Sequence, residues 1–220
     1  MTQEPKIGVL AVQGDYEAHG RMLERLHAKP VWVRRPADLA GVDGVILPGG
    51  ESTTMLKFLE EEGLESALGE FAAGGGAIFG TCAGTILLAR EVRNPAQRSL
   101  GLLDAEVSRN AYGRQIASEV RHELCSLKDA PMEMVFIRAP IIESVGPSVE
   151  VLASCGGKPV LVRQENILAA TFHPELTADT AVHELFLRMA ASAGREARDV
   201  QRGRRERHAR AAVSGGKSRV

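Results

Sequence analysis

Four short apolar runs rich in β-branched residues punctuate the first third of the chain: IGVLAV (7–12), VWVRR (31–35), GVILP (44–48) and AIFGT (77–81). Between them, apolar positions recur with helical period in YEAHGRMLERLHA (16–28), TTMLKFLEEEG (53–63) and LESALGEFAAG (64–74). Strand and helix patterns in alternation predict βαβ units and a buried, mostly parallel sheet flanked by helices, an α/β fold of flavodoxin-like type. Ligands of such sheets sit beyond the carboxyl ends of the strands, which selects the loops VQGD (12–15), LPGGES (47–52) and GTCAG (80–84) and expects them side by side.

From about residue 100 to 172 the pattern changes. Strand-like pieces LLDAEVSRN, SEVRHELCS, EMVFIRAP, VEVLASC, KPVLVRQ and ILAATFHP follow one another between turn residues, which predicts an antiparallel β elaboration on the sheet. A last amphipathic helix, ADTAVHELFLRMAASA, places Val182, Leu185, Phe186 and Met189 on one face and stops before Gly194. The segment TILLA after GTCAG continues as helix. No internal repeat is evident.

Composition adds bounds. At 220 residues, with 44% hydrophobic and 25% charged positions, the chain is an ordinary globular one that can bury a core without disulfides or a structural metal. No apolar run approaches the roughly 20 residues of a spanning helix, and the N-terminus lacks a signal-peptide pattern, so a cytoplasmic protein without membrane contact is expected. Three cysteines, Cys82, Cys125 and Cys155, match neither a zinc site nor a disulfide framework, and reduced thiols with no metal are expected. The net charge of −1 is unevenly spread: residues 195–220 hold nine Lys or Arg against three Asp or Glu, which leaves −7 on residues 1–194. The organisation expected is one domain over 1–194 followed by a basic, disordered tail over 195–220. No aromatic residues interleave the tail's arginines, so nucleic-acid binding is not expected of it.

The chemistry concentrates at Cys82. Strand, G-x-C-x-G, then helix is the thiol form of a nucleophile elbow, with Gly80 and Gly84 letting the chain turn sharply. A helix N-terminus behind the sulfur favours thiolate. A thiol nucleophile needs a base and the base an orienting group. TFHPEL supplies both: His173 follows an apolar strand, and Glu175 lies where a turn fixed by Pro174 lets its carboxylate reach the imidazole. His19 and His183 lie in helical patterns and read as surface or helix-face residues; His122, in an alternating strand, reads as exposed or structural. Attack on an amide develops an oxyanion, for which the N–H groups of Ala83 and Gly50 are the candidate donors. Asp15 reads as the cap of the helix after VQGD.

GTCAG with a distal FHPE resembles the class I, or triad, glutamine amidotransferases. Together, VQGDYEAH, LPGGESTTM, GTCAGTILLA, RNAYGRQ, FIRAP and FHPEL closely resemble the glutaminase subunits of pyridoxal 5'-phosphate synthases, over roughly residues 6 to 192. The resemblance implies hydrolysis of L-glutamine to glutamate and ammonia without a cofactor. It also implies delivery of that ammonia to a synthase subunit, a (β/α)8 barrel in a dodecameric core, which builds pyridoxal 5'-phosphate from a pentose phosphate and a triose phosphate. Carried over by motif, Cys82 is the nucleophile, His173 the general base and acid, and Glu175 its orienting group. Gly50, Glu51, Ser52, Arg109, Ile137 and Arg138 match the glutamine-binding positions, and Gln13 is a docking and activation residue. Thr85, where an aliphatic residue is more usual, and Ile141, where a histidine is common, depart from the pattern. The competing readings are a glutaminase serving another synthase, a stand-alone thiol hydrolase of related fold, and a binding module without turnover; an intact triad speaks against the last.

Overall fold

The apolar runs become a sheet covered on both faces in the computed structural model of the chain, which describes residues 4–109 and 118–193. Strand β1 (Lys6–Leu10) leads through α1 (Tyr16–Arg25) to β2 (Lys29–Val33), then to β3 (Gly44–Leu47), α2 (Ser52–Glu61), α3 (Leu64–Ala73), β4 (Ala77–Thr81) and α4 (Ala83–Leu88). After these come β5 (Ala89–Arg93), β6 (Leu103–Ser108), β7 (Ser118–Cys125), β8 (Lys128–Ile137), β9 (Ile141–Val145), β10 (Glu150–Cys155), β11 (Lys158–Gln164) and β12 (Ile167–Ala170). A helix over 181–193, α5, closes the described chain.

The main sheet has the order β2-β1-β3-β4-β12-β11-β10-β7-β8. Its first five strands pair parallel and the rest antiparallel, which realises the expected parallel core with an antiparallel elaboration. Successive side chains of a strand point to opposite faces. Val45, Leu47 and Ile78 accordingly pack with Met55, Leu59, Leu64 and Leu87 of α2, α3 and α4. Ile46 and Phe79 pack on the other face with Leu23 of α1 and Val182, Leu185 and Phe186 of α5. A strand buried on both faces has no polar side to show, which is why these runs read as continuously apolar.

Two short strands were not visible in the pattern. The run TILLA is helical only to Leu88; Ala89 turns to extended backbone and opens β5, which pairs parallel with β6. The segment IIESV forms β9 on the far side of β6 and completes a three-stranded second sheet. Among the described residues no helix is long and apolar enough to cross a membrane. The expected basic tail, and all of RNAYGRQ except Arg109, lie outside the described residues.

Candidate active site

Cys82 stands between β4 and α4 with φ +47° and ψ −102°, a backbone that L-residues rarely adopt. The framing glycines are required by contact. A Cβ on Gly84 would lie 2.0 Å from the Leu47 carbonyl oxygen, and one on Gly80 would lie 2.6 Å from the Gly84 carbonyl carbon. The bend is also tied down: the Cys82 N–H donates to Ala170 O at 2.8 Å, and the Thr85 hydroxyl donates to Ala170 O at 2.7 Å. The Thr85 side chain thus pins the elbow to β12, while its N–H donates to Cys82 O at 3.1 Å.

That anchor explains how a histidine so distant in sequence arrives at the sulfur. Strands β4 and β12 are parallel neighbours in the register Thr81 to Ala170. One chain runs on to Cys82 and the other through Thr171 and Phe172 to His173, whose N–H donates to Val135 O of β8 at 2.8 Å. Pro174 then opens a 3-10 turn, Pro174–Leu176, that folds Glu175 back so that its Oε1 lies 2.7 Å from His173 Nδ1. Both residues are buried, and Gly49 backs the ring so closely that a Cβ there would sit 2.3 Å from His173 Cε1.

Burial by itself would lower the affinity of the His173 imidazole for a proton. Hydrogen bonds to Cys82 and Glu175, with the charges on both, outweigh it and raise the pKa to about 10. A pKa so raised keeps the imidazole protonated at neutral pH, beside the Cys82 sulfur. Burial raises the Glu175 carboxyl above its ordinary value, opposed by the His173 contact. The Cys82 sulfur also lies 3.8 Å from Ile137 O. Asp15 adopts a different role from the expected one: its side chain makes no capping hydrogen bond to α1, and its Oδ2 lies 3.6 Å from His173 Nδ1.

The substrate-side residues converge as expected. Gly50, Glu51, Ser52, Arg109, Ile137 and Arg138 line one cleft of about 100 Å³ with Cys82 and Ala83. The predicted loops are adjacent: Asp15 N–H donates to Gly49 O at 3.2 Å, and Glu51 N–H donates to Gln13 Oε1 at 3.3 Å. The Glu51 carboxylate caps α2 through the Thr53 N–H and hydroxyl, 3.2 and 2.7 Å away, and meets Arg109 Nη2 at 3.3 Å. Those Thr53 contacts, with the nearby Arg109 and Arg138 charges, hold its pKa below the usual value. Ala83 occupies the first position of α4, where a helix offers its N–H no internal acceptor.

A profile of the SNO glutamine amidotransferase family matches residues 9–192. The chain belongs to that family. It is 59% identical over 184 residues to pyridoxal 5'-phosphate synthase subunit PdxT of Koribacter versatilis, covering 84% of this chain and 95% of that one. It is 49% identical over 185 residues to the PdxT subunit of Thermotoga maritima, covering 84% and 98%. A crystal structure of a glutamine amidotransferase superposes with a TM-score of 0.78 at 46% identity, over 84% of this chain and 98% of that one. The more distant PurLQS structure from Thermotoga maritima, 16% identical with a TM-score of 0.64 over 84% of this chain and 99% of that one, shares the fold.

Sequence reasoning missed two residues behind His173 and Glu175. His19 and His183, expected on helix surfaces, are both fully buried. His19 Nε2 lies 3.0 Å from Thr81 Oγ1 and 3.5 Å from Glu175 Oε2, and its Nδ1 lies 3.0 Å from His183 Nε2. Their spacing carried the signal: His19 precedes Met22 and Leu23 by three and four residues, and His183 precedes Phe186 by three, so each histidine stands on the apolar stripe of its helix.

Proposed function

We propose that this chain is the glutaminase subunit of a pyridoxal 5'-phosphate synthase. On this reading it hydrolyses L-glutamine to L-glutamate and ammonia, and a synthase subunit consumes the ammonia. The observation that carries the reading is a strained cysteine at the head of a helix, in contact with a buried His173–Glu175 pair inside a cleft rimmed by Arg109 and Arg138.

The Cys82 thiolate adds to the side-chain carbonyl carbon of glutamine, and the carbonyl π electrons move onto oxygen, where the N–H groups of Gly50 and Ala83 receive the charge. The His173 imidazolium gives its proton to the nitrogen as the C–N bond breaks, releasing ammonia and leaving a γ-glutamyl thioester. The now neutral imidazole takes a proton from water while the hydroxide attacks the thioester. Collapse of that adduct frees glutamate and the thiolate and leaves His173 protonated as at the start. A histidine held near pKa 10 suits this cycle because its proton is in place for the departing nitrogen. Arg138 receives the α-carboxylate, and Glu51 and the Ile137 backbone complete the selection of an amino acid over a simple amide.

The partner is a (β/α)8-barrel synthase subunit in a dodecameric core, with Gln13, whose side chain braces the Glu51 backbone, transmitting its docking. Identities of 47 to 59% to named PdxT subunits support this partner over the synthases of other pathways. We place the reaction in the cytoplasm, a reducing compartment suited to three free cysteines of which one is catalytic. The test is ammonia release from glutamine by the full chain with its synthase, alongside synthesis of the phosphate product from glutamine or from ammonium. A glutamine-analogue electrophile should label Cys82 and abolish glutamine-supported but not ammonium-supported synthesis. Undiminished glutamine use by a Cys82→Ala variant would overturn the assignment.

A further inference from the structure

Resting on the glutaminase reading, a second question arises at Glu175: what holds the carboxylate that holds the histidine. Its Oε1 serves His173, while its Oε2 is buried with no hydrogen bond inside 3.5 Å. The group nearest to Oε2 among the ion-pair contacts is His19 Nε2, at 3.5 Å. We propose that His19 is a positioning residue of the triad, its Nε2–H shared between Thr81 Oγ1 and Glu175 Oε2 so that the carboxylate stays oriented beneath the His173 ring.

The proton position follows from the contacts. His19 Nε2 faces two oxygens, one of them a carboxylate that only accepts, so a lone pair on Nε2 would meet a lone pair. With the proton on Nε2, His19 Nδ1 accepts from His183 Nε2–H at 3.0 Å. His183 Nδ1, which has no partner, is then a bare acceptor and not a stranded donor, the less costly of the two buried states. Both rings are neutral: burial, helped for His19 by the neighbouring His183 and His173, depresses its pKa well below the ordinary value, and burial takes His183 to about 3. A neutral donor supplies orientation without adding a second cation to compete with His173 for the carboxylate. The chain His183–His19–Glu175–His173 thereby links α5 and α1 to the sulfur.

The experiment compares His19→Leu, His19→Gln and His19→Asn in the full chain with its synthase subunit. The Gln amide can place an N–H where Nε2 was, whereas Asn reaches only the place of Nδ1. The first readout needs no glutamine: the rate of Cys82 alkylation by iodoacetamide against pH, followed on the Cys82 peptide by mass spectrometry. The groups that bear on this profile are Cys82, His173, Glu175, Asp15 from the loop before α1, and His183 from α5. Without the donor, Glu175 holds its proton to higher pH, the imidazolium loses its counter-charge, and the thiol needs a higher pH to ionise. His19→Leu and His19→Asn should therefore move the alkylation midpoint up by about one pH unit and lower kcat about tenfold with KM within about twofold. His19→Gln should recover kcat to within about threefold of the parent. A parental alkylation profile in folded His19→Leu overturns the proposal, and so does equal behaviour of Gln and Asn should Leu fail to fold. A shifted profile in a chain that never hydrolyses glutamine upholds the positioning role and sinks the glutaminase reading instead.

Discussion

Gly49→Ala isolates the geometry of the triad from its chemistry, because it adds one methyl group and removes no functional atom. The added Cβ would lie 2.3 Å from His173 Cε1, and an ordinary contact begins near 3.4 Å, so ring and loop must separate by about 1.1 Å. Two hydrogen bonds resist that shift: the ring Nδ1 is held by Glu175 at 2.7 Å and the His173 backbone N–H by Val135 O at 2.8 Å. Gly49 is not among the glycines with positive φ, so alanine fits the backbone and the clash alone is tested. A displacement of about 1 Å at a catalytic group lowers the rate by about 100-fold, which corresponds to about 2.7 kcal/mol of transition-state stabilisation. The assay is glutamine-dependent ammonia release by the chain with its synthase, with thermal unfolding measured in parallel. The expected result is a kcat about 100-fold lower with KM for glutamine within a few-fold. A kcat within threefold of the parent, in a variant that folds, would refute the claim that ring position limits the reaction.

Other outcomes follow from the same contacts. Arg138→Gln should raise KM for glutamine by roughly 10- to 100-fold through loss of a charge-assisted hydrogen bond to the α-carboxylate, whereas Arg109→Gln, whose guanidinium already pairs with Glu51, should raise it less; the reverse order in steady-state kinetics would reassign the carboxylate site. His183, depressed to about 3 by burial against 6.5 unfolded, contributes stability that is complete above pH 6.5 and is lost as pH falls toward 3, with a limiting slope of about 1.4 kcal/mol per pH unit. Urea unfolding between pH 6.5 and 5 should show that loss, and His183→Leu should reduce the slope, with the remainder coming from His19. Gly69 sits inside α3 with open space where a Cβ would point, so Gly69→Ala should stabilise the fold by about 0.5–1 kcal/mol in denaturant titrations without changing turnover.

Legibility in the sequence followed burial and local geometry. The parallel strands were readable because both faces are covered, and the elbow because Gly80 and Gly84 are demanded by contact with their neighbours. The pairing of Cys82 with His173 was readable as chemistry, and its geometric cause, the register of β4 on β12, is tertiary and leaves no periodic trace. Strands β5 and β9 escaped because neither is a buried apolar run: in β5 Arg90, Glu91 and Arg93 are exposed, and in β9 only Ile142 is buried. His19 escaped because a polar side chain on a helix is ordinarily read as exposed, and it is the neighbours Glu175, Thr81 and His183 that make its burial tolerable. Asp15 was read by its place at a helix start, where capping is the common use of aspartate; here the pull of the buried imidazole is the contact observed.

The anchoring of Cys82 and His173 on adjoining strand ends has a consequence for control. Cys82 and His173 are carried on adjoining strand ends of one sheet, so the register of β4 on β12 sets their spacing without a domain closure. A partner that turns such an enzyme on would have to act elsewhere, on the carbonyl-facing side of the sulfur, where the backbone around Gly50 meets Gln13 and the incoming amide. Were such an enzyme latent, control would fall on the groups that receive the developing charge, because the sheet already fixes the attacking pair.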